Sequence, residues 1–143
     1  MTASPKPLLA PFYLIAATFI GIADTLYLSY YHYLGITPGC ALKGCEIVLN
    51  SPYSMPLGVP FAYIGLVYYV YMLALAVLIS IDPYSRALRL GALVYTGIGL
   101  VCSIGFELVQ IFIINAICMF CAISAVTTLA LFSLSVWYYK ITK

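Results

Sequence analysis

The stretch INAICMFCAISA, residues 114–125, sets two cysteines, Cys118 and Cys121, inside an almost unbroken apolar run. Asn115 is its one polar break. On either side the apolar sequence continues far enough for a membrane-crossing helix, which needs about 20 such residues. Two long apolar helices with so little between them form a tight antiparallel hairpin. The fold is therefore read as all-α and integral to a membrane, with a Cys-x-x-Cys pair at one end of the last helix.

Composition agrees. Of 143 residues, 65% are hydrophobic and 7% charged, against about 25% charged in a soluble domain. The net charge of +2 and the lack of a basic run exclude a nucleic-acid binder. Four spans are expected, at about 9–33, 59–81, 87–113 and 116–139, in one domain covering 1–143. The first span is too long for a signal peptide's apolar core and no convincing cleavage site follows it. The redox loop, about 34–58, is the one substantial connection. It is rich in Gly, Pro and Ser, and its CEIVLNS segment suits a short interfacial helix. Lys6, Arg86, Arg89, Lys140 and Lys143 fall at one end of a four-span bundle and only Lys43 at the other. The positive-inside rule then puts both termini in the cytoplasm and the loop outside, on the side where disulfides persist.

Asn115 suits the N-cap of the fourth helix, with Cys118 third in its first turn. There the positive end of the helix dipole favours the thiolate. Cys121 lies about 4.5 Å deeper on nearly the same face. One thiol then faces water and a soluble protein, the other a lipid-soluble electron carrier. A second pair, Cys40 and Cys45, lies in the loop on the same face. Two structural disulfides in a non-catalytic membrane protein are one alternative, and a four-cysteine zinc site is another. Zinc knuckles are usually tighter than Cys-x-x-x-x-Cys, and no metal is assigned.

Asp24 and Glu107 are charges within apolar helices, which suggests function, or a bond inside the bundle. Gln110 offers hydrogen bonds to a carbonyl or to a neighbouring helix. Ser51 suits a donor to a quinone oxygen, or a cap on the loop helix. His32 reads as interfacial and Cys102 as core packing.

GIADTLYLSY, the loop cysteine pair, CEIVLNSPYSMPLGVPFAYIGLVYY and ELVQIFIINAICMFCAISA together resemble the vitamin K epoxide reductase family of bacterial and archaeal type, over nearly the whole chain. The resemblance implies a four-helix bundle around a quinone of ubiquinone or menaquinone type. Electrons would pass from a thioredoxin-fold dithiol protein to the loop cysteines, then to the Cys-x-x-Cys pair, then to the quinone. By position, Cys40 resembles the cysteine that the partner attacks and Cys45 the one that exchanges with Cys118. Cys121 resembles the cysteine that reduces the quinone. Ser51, Leu49, Phe61, Phe106, Gln110 and Ile114 match positions lining the quinone pocket. Gly58 and Ala125 replace an Asn and a Tyr of the vertebrate enzymes, which suits plain quinone reduction. The fused thioredoxin-like domain of many bacterial relatives is lacking, so the partner is expected in trans.

Overall fold

A computed structural model describes residues 9–39 and 43–143; Cys40 lies outside them. Four helices are long and apolar enough to cross a membrane: α1 (Ala10–Tyr33), α3 (Phe61–Ile81), α4 (Arg86–Val109, prolonged by a π turn at Gln110–Ile114) and α5 (Met119–Ile141). The short helix α2 (Gly44–Leu49) lies in the long loop, where CEIVLNS led us to expect one. The chain is a multi-pass membrane protein with the expected all-helical architecture.

The helices pack in a ring, α1 against α3 and α5, and α4 against α5 and α3. Small residues allow the close approach that drives association when lipid is as apolar as the helix surface. A side chain at Gly21 would overlap the ring of Tyr69, and one at Gly99 the ring of Tyr68. The core gathers Leu14, Tyr69, Met72, Ala76, Ile79, Leu131 and Tyr138. Several hydroxyls inside the bundle are satisfied locally: Thr18 donates to the Leu14 carbonyl, Thr25 to Gly21, Ser29 to Thr25 and Thr96 to Ala92, whereas Tyr68 OH and Ser135 Oγ are buried without a partner. With no water to take up a stray donor, such back-bonding is the cheapest arrangement. The outer surface is the opposite of a soluble protein's: Val67, Val101, Phe112 and Val126 are 66–73% exposed, a surface for lipid.

At the end remote from the loop, Arg89 Nη1 donates to the Thr142 carbonyl at 2.6 Å and Tyr138 OH to the Pro83 carbonyl. These bonds tie the α3–α4 turn to the last residues of α5.

The start of α5 differs from expectation. Asn115 is not its N-cap. It is left-handed (φ 56°, ψ 34°) and reverses the chain after the π turn, where the Ala116 N–H donates to the Gln110 carbonyl at 3.1 Å. Asn is among the few residues that tolerate this conformation. Residues 116–118 run on outside the helix, and Cys118, with extended backbone (φ −93°, ψ 124°), is the N-cap. The fourth span begins at Met119 rather than about 116.

Candidate active site

Three pieces meet at the loop end of the bundle: the π turn of α4, the N-terminus of α5 and the helix α2. Gln110 is fully buried, and its Oε1 accepts the Cys118 backbone N–H at 2.9 Å. This bond fixes the residue that starts α5. Helix α2 then lies on the turn. Gly44 is seated so close to the Ile117 backbone that a Cβ there would strike it. That contact brings Cys45 and Val48, both fully buried, against Cys118. The Met119 N–H, at the first position of α5, donates to Cys45 Sγ at 3.3 Å. The unpaired amides and dipole at a helix N-terminus favour negative charge, and Cys45 Sγ lies at that end of α5.

Cys45 is disulfide-bonded, whereas Cys118, Cys121 and Cys102 are free thiols. The Cys118 thiol is pulled down to about 7, chiefly by a hydrogen bond from the Cys121 thiol. Burial opposes the shift, and the backbone N–H groups of Cys121 and Phe120 reinforce it. An activated Cys118 was expected. Its setting was not: it is wholly covered, because α2 lies over it, where the sequence had suggested access from water.

Cys121, one turn into α5, opens instead into a cavity of about 300 Å³, at the small end of ligand pockets. Leu49, Ser51, Phe61 and Phe106, which the resemblance matches to quinone-pocket positions, line this cavity. Phe61 and Phe106 stack face to face with ring centroids 4.3 Å apart, an aromatic pair on the wall. Gln110 and Ile114 do not line it. Gln110 is turned to Cys118, and Ile114 packs with Cys45 and Val48. Ser51 is on the wall, but its hydroxyl donates to the Val48 carbonyl at 2.7 Å; it caps α2. Asp24, Thr25, Leu28, His32, Ser103, Phe120 and Ser124 complete much of the lining and were not foreseen there. The i, i+4 recurrence of Asp24, Leu28 and His32 marks one stripe of α1, a signal that was legible. Glu107, Gly58 and Ala125 are not on the wall. Cys102 faces outward rather than into the core. Among the described residues no group of three His, Cys, Asp or Glu is arranged to hold a metal.

A model described as the vitamin K epoxide reductase family matches residues 12–136. The chain belongs to the vitamin K epoxide reductase family. No curated protein matches it. Membership in the vitamin K epoxide reductase family makes the chain a membrane protein of a disulfide oxidoreductase family, one that uses quinone-type cofactors. The cavity suits such a group. Its walls combine apolar and aromatic side chains, which suit a quinone ring, with Ser, Thr and Asn groups, and among the described residues it holds one orphaned buried polar atom, Asp24 Oδ2.

Proposed function

We propose that the chain is a thiol:quinone oxidoreductase that generates disulfides in a thioredoxin-fold protein supplied in trans. The reading is carried by one arrangement. Cys45 Sγ is held at the N-terminus of α5 against Cys118, while Cys121 opens to the cavity.

In this reading Cys40 is the disulfide partner of Cys45. The partner protein's thiolate attacks Cys40, the loop disulfide breaks, and Cys45 leaves as a thiolate stabilised by the Met119 N–H. The partner's second thiol resolves the mixed disulfide and departs oxidised. Cys45 attacks the Cys118–Cys121 disulfide at Cys118, and Cys121 is released. Cys40 then attacks Cys45, which restores the loop disulfide and frees Cys118. Two electrons have moved inward, and the dithiol stands ready beside the cavity. A bound quinone supplies a sink for two electrons and two protons. Phe61 and Phe106 hold the ring, and Cys118 and Cys121 close their disulfide as the electrons leave. Thiol exchange needs the attacking group as a thiolate, which the lowered Cys118 thiol and the amides at the start of α5 provide. The loop end faces out of the cytoplasm, and the quinone is a ubiquinone or a menaquinone.

The test is reduction of a short-chain quinone by the purified protein, driven by a reduced thioredoxin-fold protein. The wild type turns over. Cys121→Ala does not, and it accumulates a Cys45–Cys118 disulfide in non-reducing peptide maps. Quinone reduction undiminished in Cys121→Ala defeats the scheme.

A further inference from the structure

The cavity beside Cys121 contains a carboxyl group that the exchange scheme leaves idle. Asp24 lies about nine residues, or some 13 Å, below the loop end of α1. Its Oδ2 is fully buried without a hydrogen-bond partner. The serines and Thr25 of the wall are engaged. Ser51 and Ser54 donate to backbone carbonyls, Thr25 to the Gly21 carbonyl, Ser124 pairs with Tyr69 OH at 2.9 Å, and Ser103 accepts from Thr128. Tyr69 of α3 and Cys121 of α5 lie within electrostatic reach of Asp24, as does Cys118, and Glu107 of α4 acts on Cys121. His32, two turns along α1, packs edge-on against Tyr63. Among the described residues no lysine or arginine lines the cavity. An isolated carboxylate in such surroundings is costly, and the group holds its proton instead.

We propose that Asp24 is a catalytic acid of the quinone site, held as a neutral carboxylic acid that hands its proton to a quinone oxygen and takes one from Cys121 in exchange. The inference rests on the proposed quinone reduction. The balance closes. Cys118 and Cys121 lose two electrons and form one S–S bond, and the quinone gains two electrons and two protons. One proton comes from the Cys121 thiol by way of Asp24, which ends as it began. The other, shed to water when Cys118 ionised, returns from water through the loop end of the cavity. Without Asp24 the thiol proton loses its buried carboxyl relay beside Cys121, and negative charge would develop where the wall is apolar.

The experiment uses the full chain in lipid nanodiscs and a short-chain ubiquinone analogue. Infrared spectra of the dithiol form should contain the carbonyl stretch of a protonated carboxylic acid. That band should shift when the quinone analogue is added, and it should be missing in Asp24→Asn. Asp24→Asn should slow quinone reduction at saturating quinone by roughly a hundredfold, the scale of a lost acid–base group. Asp24→Glu should restore most of the rate. An Asn variant that keeps the band or the wild-type rate overturns the proposal, as do Asn and Glu variants that are equally slow. If Asp24→Asn does not fold, the band's position in Asp24→Glu against the wild type and its response to quinone decide. A shift with quinone in both supports the proposal, and a band indifferent to quinone overturns it. A wild type that reduces no quinone removes the proposed function and this inference with it. A fully active Asp24→Asn removes this inference alone.

Discussion

At the scale of single residues, the site turns on how two neighbouring thiols share protons. Cys118 is lowered to about 7, first by the Cys121 thiol that donates to it. Its thiolate fraction therefore rises through neutral pH and is nearly complete about two units higher. Ultraviolet thiolate absorbance, compared between Cys102→Ala and Cys102→Ala/Cys118→Ser, should show this titration. In Cys102→Ala/Cys121→Ala it should move to higher pH, because the donor is gone. A midpoint unchanged by Cys121→Ala would mean that the amides of α5 dominate. Cys102 faces outward, so Cys102→Ala should keep wild-type quinone reduction and leave no internal cavity; loss of activity in a folded variant would require a fifth cysteine in the scheme. Gln110 is equally exacting. Gln110→Leu strands the Cys118 N–H, and leaving a buried donor unsatisfied costs about 1–3 kcal/mol. A lower thermal midpoint, together with slower Cys45–Cys118 trapping, is the expected result.

At the scale of elements, the long helices and α2 were legible because apolar length and turn-rich flanks are properties of the sequence itself. The start of α5 was not. Asn is favoured both at an N-cap and in a left-handed reversal, so Asn115 alone does not distinguish the two. The arrangement found joins a π turn, which widens the end of α4, to a helix start at Met119, with the Cys118 N–H donating to Gln110 Oε1 between them. The same bond explains why Gln110 does not line the cavity, though its position in the resemblance had placed it there. Helix α2 depends on the missing side chain of Gly44, packed on the Ile117 backbone. Gly44→Ala should lift α2 and slow formation of the trapped Cys45–Cys118 disulfide in a Cys121→Ala background, with little change in the four spans by circular dichroism. Unchanged trapping would show that the loop tolerates the displacement.

At the scale of the whole molecule, four spans put both termini at the end opposite α2, with Arg86, Arg89, Lys140 and Lys143. By the positive-inside rule that end is expected in the cytoplasm. After mild reduction of intact cells, an impermeant thiol reagent should label the loop pair Cys40 and Cys45 in a Cys102→Ala/Cys118→Ala/Cys121→Ala variant. Labelling only after lysis would invert the orientation. The cavity was the least legible part of the molecule. Its α1 wall can be read as a stripe of Asp24, Leu28 and His32, but nothing local tells which helix faces that stripe. Cys121 and Ser124 meet it only because small residues such as Gly21 and Gly65 let α1 and α3 close up.

The cover over Cys118 acts as insulation. In the proposed reaction a small soluble thiol such as glutathione meets Cys118 only when α2 lifts away, whereas a protein that engages the loop feeds electrons through Cys45. Leakage from the bulk thiol pool into the membrane carrier would then be throttled at one buried sulfur. The molecule should behave as a rectified contact, with fast delivery from its docked donor and slow short-circuit by free thiols.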